Sequence, residues 1–176
     1  MLSAPTGRGP QLRAGVAAAA GDWLLVVHAD VRLPREALAD AEGAMARPGV
    51  QAAVWPLAIE GAGRRLRWIE RGAALRWRLT GLAYGDQGLL VRRAAYDAVG
   101  GYPETRIMED VVLIRRLSRI ARIERLGHPI VADARRWRRE GPLRGTLRNT
   151  LLITLFLAGV SPERLARWYH PEPGAP

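Results

Sequence analysis

The apolar positions of this chain fall into short unbroken runs separated by longer stretches of helical period, the rhythm of strands alternating with helices. Residues 23–27, WLLVV, are the clearest run and suit a strand buried on both faces of a parallel sheet. A helix is predicted ahead of it over the Ala-rich residues 11–20, closed by Gly21. Pro34 suits a first helical position, and 35–47 reads as a helix stopped by Pro48 and Gly49. Residues 50–59 read as a second strand, which Pro56 moves to an edge or a bulge. After a turn at 61–63, residues 64–79 form one Arg-rich amphipathic helix, or two broken near Gly72.

The second half continues the alternation. A Gly-containing loop, 80–87, leads into a short strand at 88–91, and 93–99 is a short helix ended by Gly100 and Gly101. Glu109 and Asp110 open an amphipathic helix reaching about Ala121, with Val111, Val112, Ile114, Leu117 and Ile120 as its apolar set. Residues 123–126 and 129–132 read as short extended pieces, and 133–140, DARRWRRE, as a dense basic segment. Residues 142–157 are a helix, apolar in its second half, and Ser161 and Pro162 start another as N-cap and first helical residue. With no repeat and no linker, residues 1–170 are read as a single α/β domain, and 171–176 as a disordered tail.

Composition narrows the chemistry. There is no cysteine, which excludes disulfides, thiolate metal sites and a cysteine nucleophile. The first residues lack the apolar core of a signal peptide, and the longest apolar stretch, 151–160, is too short to span a bilayer. The expected address is cytoplasmic, with peripheral contact to the inner face of the membrane left open. All 27 basic residues are Arg, against 17 acidic ones, and the net charge of +10 attracts phosphates of any origin. No nucleic-acid motif appears, and the arginines are scattered, so no nucleic-acid partner is expected. The helix at 64–79 reads either as a surface helix with Arg stems over apolar neighbours or as a basic helix resting on anionic lipid. The apolar helix at 151–157 reads as core or dimer packing, or as a membrane contact.

Three polar clusters stand at the ends of core elements. His28 and Asp30 follow the first strand; in extended backbone they leave the same face, where an imidazole and a carboxylate can hold a divalent cation. A strand end turning polar as it meets solvent would look the same. Gly85, Asp86 and Gln87 form a turn before the 88–91 strand. Glu109 and Asp110 lie in a helix first turn, where the helix dipole alone favours carboxylates.

Taken in this order, the clusters resemble the family 2 glycosyltransferases of GT-A fold, and within them the small bacterial branch described as selenodomain-associated or arsenosugar-biosynthesis glycosyltransferases. GDWLLVVHADVRLP resembles that branch's strand and metal motif, TGLAYGDQGLLVRRAAYDAVGGYP its acceptor loop and following helix, and IMEDVVLIRRL its acidic catalytic motif. ARRW and GVSPERLARWY resemble its C-terminal end. The resemblance implies a GT-A-like (Rossmann-like) mixed sheet flanked by helices. It also implies inverting transfer of a sugar from a nucleotide diphosphate donor to an acceptor hydroxyl. Asp30 would match the last acidic position of the family's D-x-D metal motif, with His28 replacing the first, and together they would hold Mg²⁺ or Mn²⁺. Asp110 would be the general base, supported by Glu109. Gly85, Asp86 and Gln87 would contact acceptor or donor sugar, and Arg136 and Trp137 resemble an R-W pair near the phosphates.

One departure matters. Family members begin with a strand ending in an I-P-x-x-N-E-like stretch and a following D-x-x-S-x-D-x-T motif, which hold base and ribose. Nothing similar precedes Arg8. The expectation is therefore a fold truncated at its N-terminus, with the 23–27 strand left with a bare edge that favours self-association into a homo-oligomer. The alternatives to an active enzyme are a non-catalytic remnant and a basic interaction module at a membrane surface.

Overall fold

The computed structural model describes residues 3–169; the tail predicted at 171–176 lies outside the described residues, as do the side chains of Arg136, Glu140, Pro142 and Leu143. Two small sheets carry the chain. The first has four strands in the order β1-β5-β3-β6, formed by β1 (Trp23–Val26), β3 (Ala52–Val54), β5 (Leu89–Arg92) and β6 (Ile123–Arg125). The second has three in the order β2-β7-β4, from β2 (Val31–Arg32), β4 (Leu57–Ile59) and β7 (Ile130–Ala132). Both are mixed: β5 runs antiparallel to β1 and β3, β3 pairs parallel with β6, β2 is antiparallel to β7, and β4 is parallel to it. Eight helices flank them among the described residues: α1 (Arg8–Ala18), α2 (Arg35–Ala46), α3 (Arg64–Thr80), α4 (Arg93–Ala98), α5 (Glu109–Leu117), α6 (Arg135–Glu140), α7 (Pro142–Leu157) and α8 (Pro162–Tyr169). The chain is an α/β protein. No described helix is long and apolar enough to cross a membrane.

Strand alternation divides the core. Ala52, Val54, Leu89 and Val91 face one cluster, with Val111, Leu113, Ile114 and Leu117 of α5 and Leu165 of α8. Ala53 and Leu90 face the other, where Ala37, Ala41 and Ala44 bring α2 close enough for the Trp55 indole N–H to donate to the Ala37 carbonyl at 2.9 Å. A third cluster joins Leu57, Ile59, Ala132 and Ala134 to Ala73 of α3 and Trp137 of α6.

Three expectations from the pattern change. The first strand is not central and parallel: β1 ends its sheet, pairs antiparallel with β5, and shows Leu25 to solvent, 43% exposed. An apolar run reports burial only when both faces are covered, and here one side of β1 is open. The strand predicted over 50–59 splits at Trp55 and Pro56 into β3 and β4, which belong to different sheets. Pro56 has no N–H, so it sits where the ladder breaks, and its carbonyl accepts from Ile130 N. Of the two readings of residues 64–79 the single helix forms, unbroken at Gly72, whereas α5 ends at Leu117 rather than near Ala121, because 118–120 tighten into turns.

Candidate functional site

The sheet end and the helix starts converge on one pocket that is open to solvent. His28, Asp30, Tyr84, Gly85, Asp86 and Asp110 line one part of it, with Arg8, Met108, Trp137, Asn149, Leu152 and Tyr169 around the rest. Stretches from opposite ends of the described chain, Arg8 and Tyr169 among them, thus meet in one place. The three clusters singled out by pattern are brought together, and Trp137 joins them.

His28 reaches the pocket by a route the alternation argument did not foresee. After β1 the chain turns, with the Val31 N–H donating to the His28 carbonyl at 3.0 Å, so residues 28–31 are not extended. The imidazole lies directly on Gly85: a Cβ built there would come within 2.2 Å of both Cε1 and Nε2. A residue with a side chain at 85 would force the ring away, which is why this turn needs glycine. His28 is half-buried, whereas Asp30 is exposed at the rim.

The single 3₁₀ turn Gly85–Gln87 is held from behind by α3. The Arg76 guanidinium stacks on Tyr84, 3.3 Å from the ring centroid, and donates through Nη2 to Gln87 Oε1 at 2.6 Å and through Nε to the Leu82 carbonyl at 3.1 Å. Gln87 in turn donates from Nε2 to the Trp55 carbonyl at 3.1 Å and is 1% exposed. Gln87 therefore does not line the pocket; it fixes the turn that presents Gly85 and Asp86. The Tyr84 phenol is pushed above its ordinary pKa, chiefly by burial.

Asp110 is fastened at both oxygens. The Gly85 N–H donates to Oδ2 at 2.6 Å, and the Val111 N–H lies 2.8 Å from Oδ1. The residue before the helix, Met108, is the one described non-glycine residue with positive φ, at 65°. An L-residue there costs about 1–2 kcal/mol, and here it turns the chain so that α5 begins at the pocket wall. Glu109 points the other way, into the protein, with 0% exposure. Neither of its oxygens accepts a hydrogen bond from a described residue. Its one cationic contact among the described residues is Arg8, whose Nε lies 3.2 Å from Oε1. Burial, with the neighbouring Asp110 charge, pushes the Glu109 carboxyl up to about 7 against the pull of Arg8. Burial also raises the Tyr102 phenol nearby.

Of the residues named from sequence, His28, Asp30, Gly85, Asp86, Asp110 and Trp137 line the pocket, Gln87 and Glu109 stand behind it, and the side chain of Arg136 lies outside those described. Among the described residues no group of three or more His, Asp or Glu side chains gathers as a ligand set for a metal ion. Sequence reasoning missed Arg8, Arg76 and Tyr84. Arg8 is delivered by α1, whose start is tied to the 103–108 loop by the Gly9 N–H donating to the Thr105 carbonyl at 3.3 Å, and no local pattern announces such a long-range pairing. Tyr84 adjoins the Gly85-Asp86 turn and was visible there. No protein-family model, curated protein or solved structure matches the chain.

Proposed function

We propose that this pocket transfers a sugar from a nucleotide diphosphate donor to an acceptor hydroxyl with inversion, as in family 2 glycosyltransferases. The observation that carries the reading is the meeting of His28, Asp30, Gly85, Asp86 and Asp110 in one pocket, in the chain order of that family's metal, acceptor and base motifs. Mixed sheets flanked by helices support a GT-A-like arrangement. In this reading the acceptor oxygen attacks the anomeric carbon, the bond to the donor phosphate breaks, and the hydroxyl proton passes to Asp110. Hydrogen bonds from Gly85 and Val111 N–H aim that carboxylate. Glu109 and Arg8 hold the start of α5 from inside.

The donor set fits a cation shared with substrate rather than one caged by protein. Asp30 at the exposed rim and half-buried His28 line the same pocket, and Mg²⁺ or Mn²⁺ in phosphoryl sites commonly takes one or two protein ligands, the rest being water and phosphate oxygens. Bound there, the ion would neutralise charge on the departing diphosphate.

Isothermal titration and transfer assays with nucleotide sugars and Mn²⁺ test this. Asp110→Asn is expected to lose transfer by several orders of magnitude while still binding the donor, and Asp30→Asn to lose both. Equal loss of binding in Asp110→Asn would make that residue structural and remove the base from the scheme. A second reading, a non-catalytic relative, draws on β1, an edge strand with exposed Leu25, whose bare edge also favours pairing with another copy. A folded wild-type chain that binds no nucleotide sugar and scatters light as an oligomer would select it.

A further inference from the structure

The longest described helix has a face that the pocket does not use. Only Ala73 of α3 is fully buried, yet its outward side is not simply polar. Trp68, Leu75 and Leu79 are 68, 55 and 74% exposed. At about 100° per residue these three, with Gly72, fall within an arc of roughly 60°. Exposed arginines border the arc, Arg64, Arg71 and Arg78 on one flank and Arg65 on the other. None of the four pairs with a carboxylate of a described residue. The Arg71 guanidinium lies 5.8 Å from the Trp68 ring centroid, its stem available to cover apolar surface. Thus α3 carries two apolar stripes: Leu66, Ile69 and Ala73 turned to the third core cluster, and Trp68, Leu75 and Leu79 turned to solvent.

We propose that the outward stripe of α3 docks on an anionic lipid surface, with the helix lying in the interfacial plane. The inference is independent of the pocket's chemistry. A 17-residue helix is about 25 Å long, enough to lie along a membrane surface. An indole and two leucines enter the headgroup–acyl boundary, and flanking guanidiniums reach lipid phosphates, the composition of interfacial helices. Charge selects this occupant over a second copy. A two-fold pairing of the stripe would bring the same four arginines against their symmetry mates on a protein already at +10, whereas an anionic surface neutralises them. The leucines select lipid over nucleic acid, whose phosphates and base faces have no use for two exposed aliphatic side chains. The neighbouring α7, which packs against α3, also exposes Leu147 and Leu151, while its Asn149, Leu152 and Ile153 wall the pocket. A chain docked through α3 would thus hold its pocket beside the bilayer.

Vesicle flotation tests the proposal on the full chain, using phosphatidylcholine alone or mixed with phosphatidylglycerol. Binding is expected only to the anionic vesicles and is expected to weaken with salt. Trp68→Ser/Leu75→Ser/Leu79→Ser and Arg65→Gln/Arg71→Gln/Arg78→Gln should each weaken it at least roughly tenfold, and exposed positions should leave the circular dichroism unchanged. Brominated lipid should quench fluorescence less in Trp68→Leu than in wild type. The proposal is overturned if anionic vesicles are not bound, if neutral vesicles bind as well, or if the serine variant binds as wild type does. It is also overturned by a dimer that the serine variant dissolves, or by single-stranded DNA displacing the protein from vesicles through the apolar positions.

Discussion

Two carboxylate sites at different places in the fold show opposite treatment of the same chemical group. Asp40, on α2, receives the backbone N–H groups of Gly127 and His128 on Oδ2 at 3.0 and 2.6 Å, with the His128 imidazole Nδ1 at 3.1 Å. Those donors, the His128 N–H foremost, hold its carboxyl below the ordinary aspartate range. Glu109, at the head of α5, is buried without a hydrogen-bond donor among the described residues, beside another carboxylate and after a left-handed Met108. The Asp40 site ties α2 to the bend between β6 and β7. The Glu109 site is costly for folding, and strain of this kind collects at functional sites. That contrast makes the α5 end of the molecule the one where a carboxylate is buried against its ordinary ionisation.

Glycine substitutions sharpen the contrast most. Gly85→Ala drives a Cβ into the His28 ring and is expected to cost about 1–3 kcal/mol of stability as well as moving His28. Gly127→Ala places its Cβ at an ordinary 3.4 Å from Asp40 Oδ2, at no strained φ, and should change stability by less than about 0.5 kcal/mol. Urea melts of the two variants measure both. A Gly127→Ala cost equal to that of Gly85→Ala would erase the distinction between the sites.

What the sequence showed of these places follows from the range of the forces involved. Glu109 and Asp110 stood out because a paired carboxylate at a helix start is a local signal, as were the Gly85-Asp86-Gln87 turn and the run ahead of His28. Helices at 35–46, 64–80 and 142–157 were visible from period and from Gly and Pro stops. Sheet membership was not. Nothing near Trp23 says that its partner is Arg92 in antiparallel register, and nothing near Val54 says that three residues later the chain belongs to another sheet. Arg8–Glu109, Arg76–Tyr84 and Asp40–His128 are likewise pairings that exist only after folding. Gln87 looked like a ligand-binding polar residue because its hydrogen-bonding capacity is visible in sequence, while the buried partners that absorb it are not.

Removing Asp40 tests the satisfied site. At pH 5 the Asp40→Ala variant is expected to lose about 0.5–1 kcal/mol, less than two charge-assisted hydrogen bonds would suggest, because the freed N–H groups lie near the surface and turn to water. The pH dependence has a definite sign. Asp40 titrates lower in the folded chain than in the unfolded one, so its stabilisation is complete above the unfolded value near 3.8. It is lost as pH falls through the folded value. The gap between wild type and Asp40→Ala should therefore close on acidification below about pH 4. A gap that stayed constant into acid would show that packing, not the carboxylate, holds the 127–128 turn.

Glu109→Gln gives the smallest change at pH 5, and its interest lies in the slope. The wild-type carboxyl is raised to about 7 in the folded chain from an ordinary 4.5. Between those values the folded state keeps a proton that the unfolded state has released, so stability falls as pH rises from 4.5 toward 7 and levels off above. Gln preserves the shape and cannot ionise. Relative to wild type the variant should gain stability steadily across that window, with little difference below it, where Glu109 is protonated in both states. Asp110 and Arg8 are the charged groups that act on Glu109. Arg8→Met should therefore extend the decline to higher pH, because it removes a cation that favours the ionised carboxylate. Thermal melts at half-unit pH intervals read both slopes. Parallel curves for wild type and Glu109→Gln would mean that Glu109 ionises as readily in the folded chain as in the unfolded one, and burial would then not set it apart.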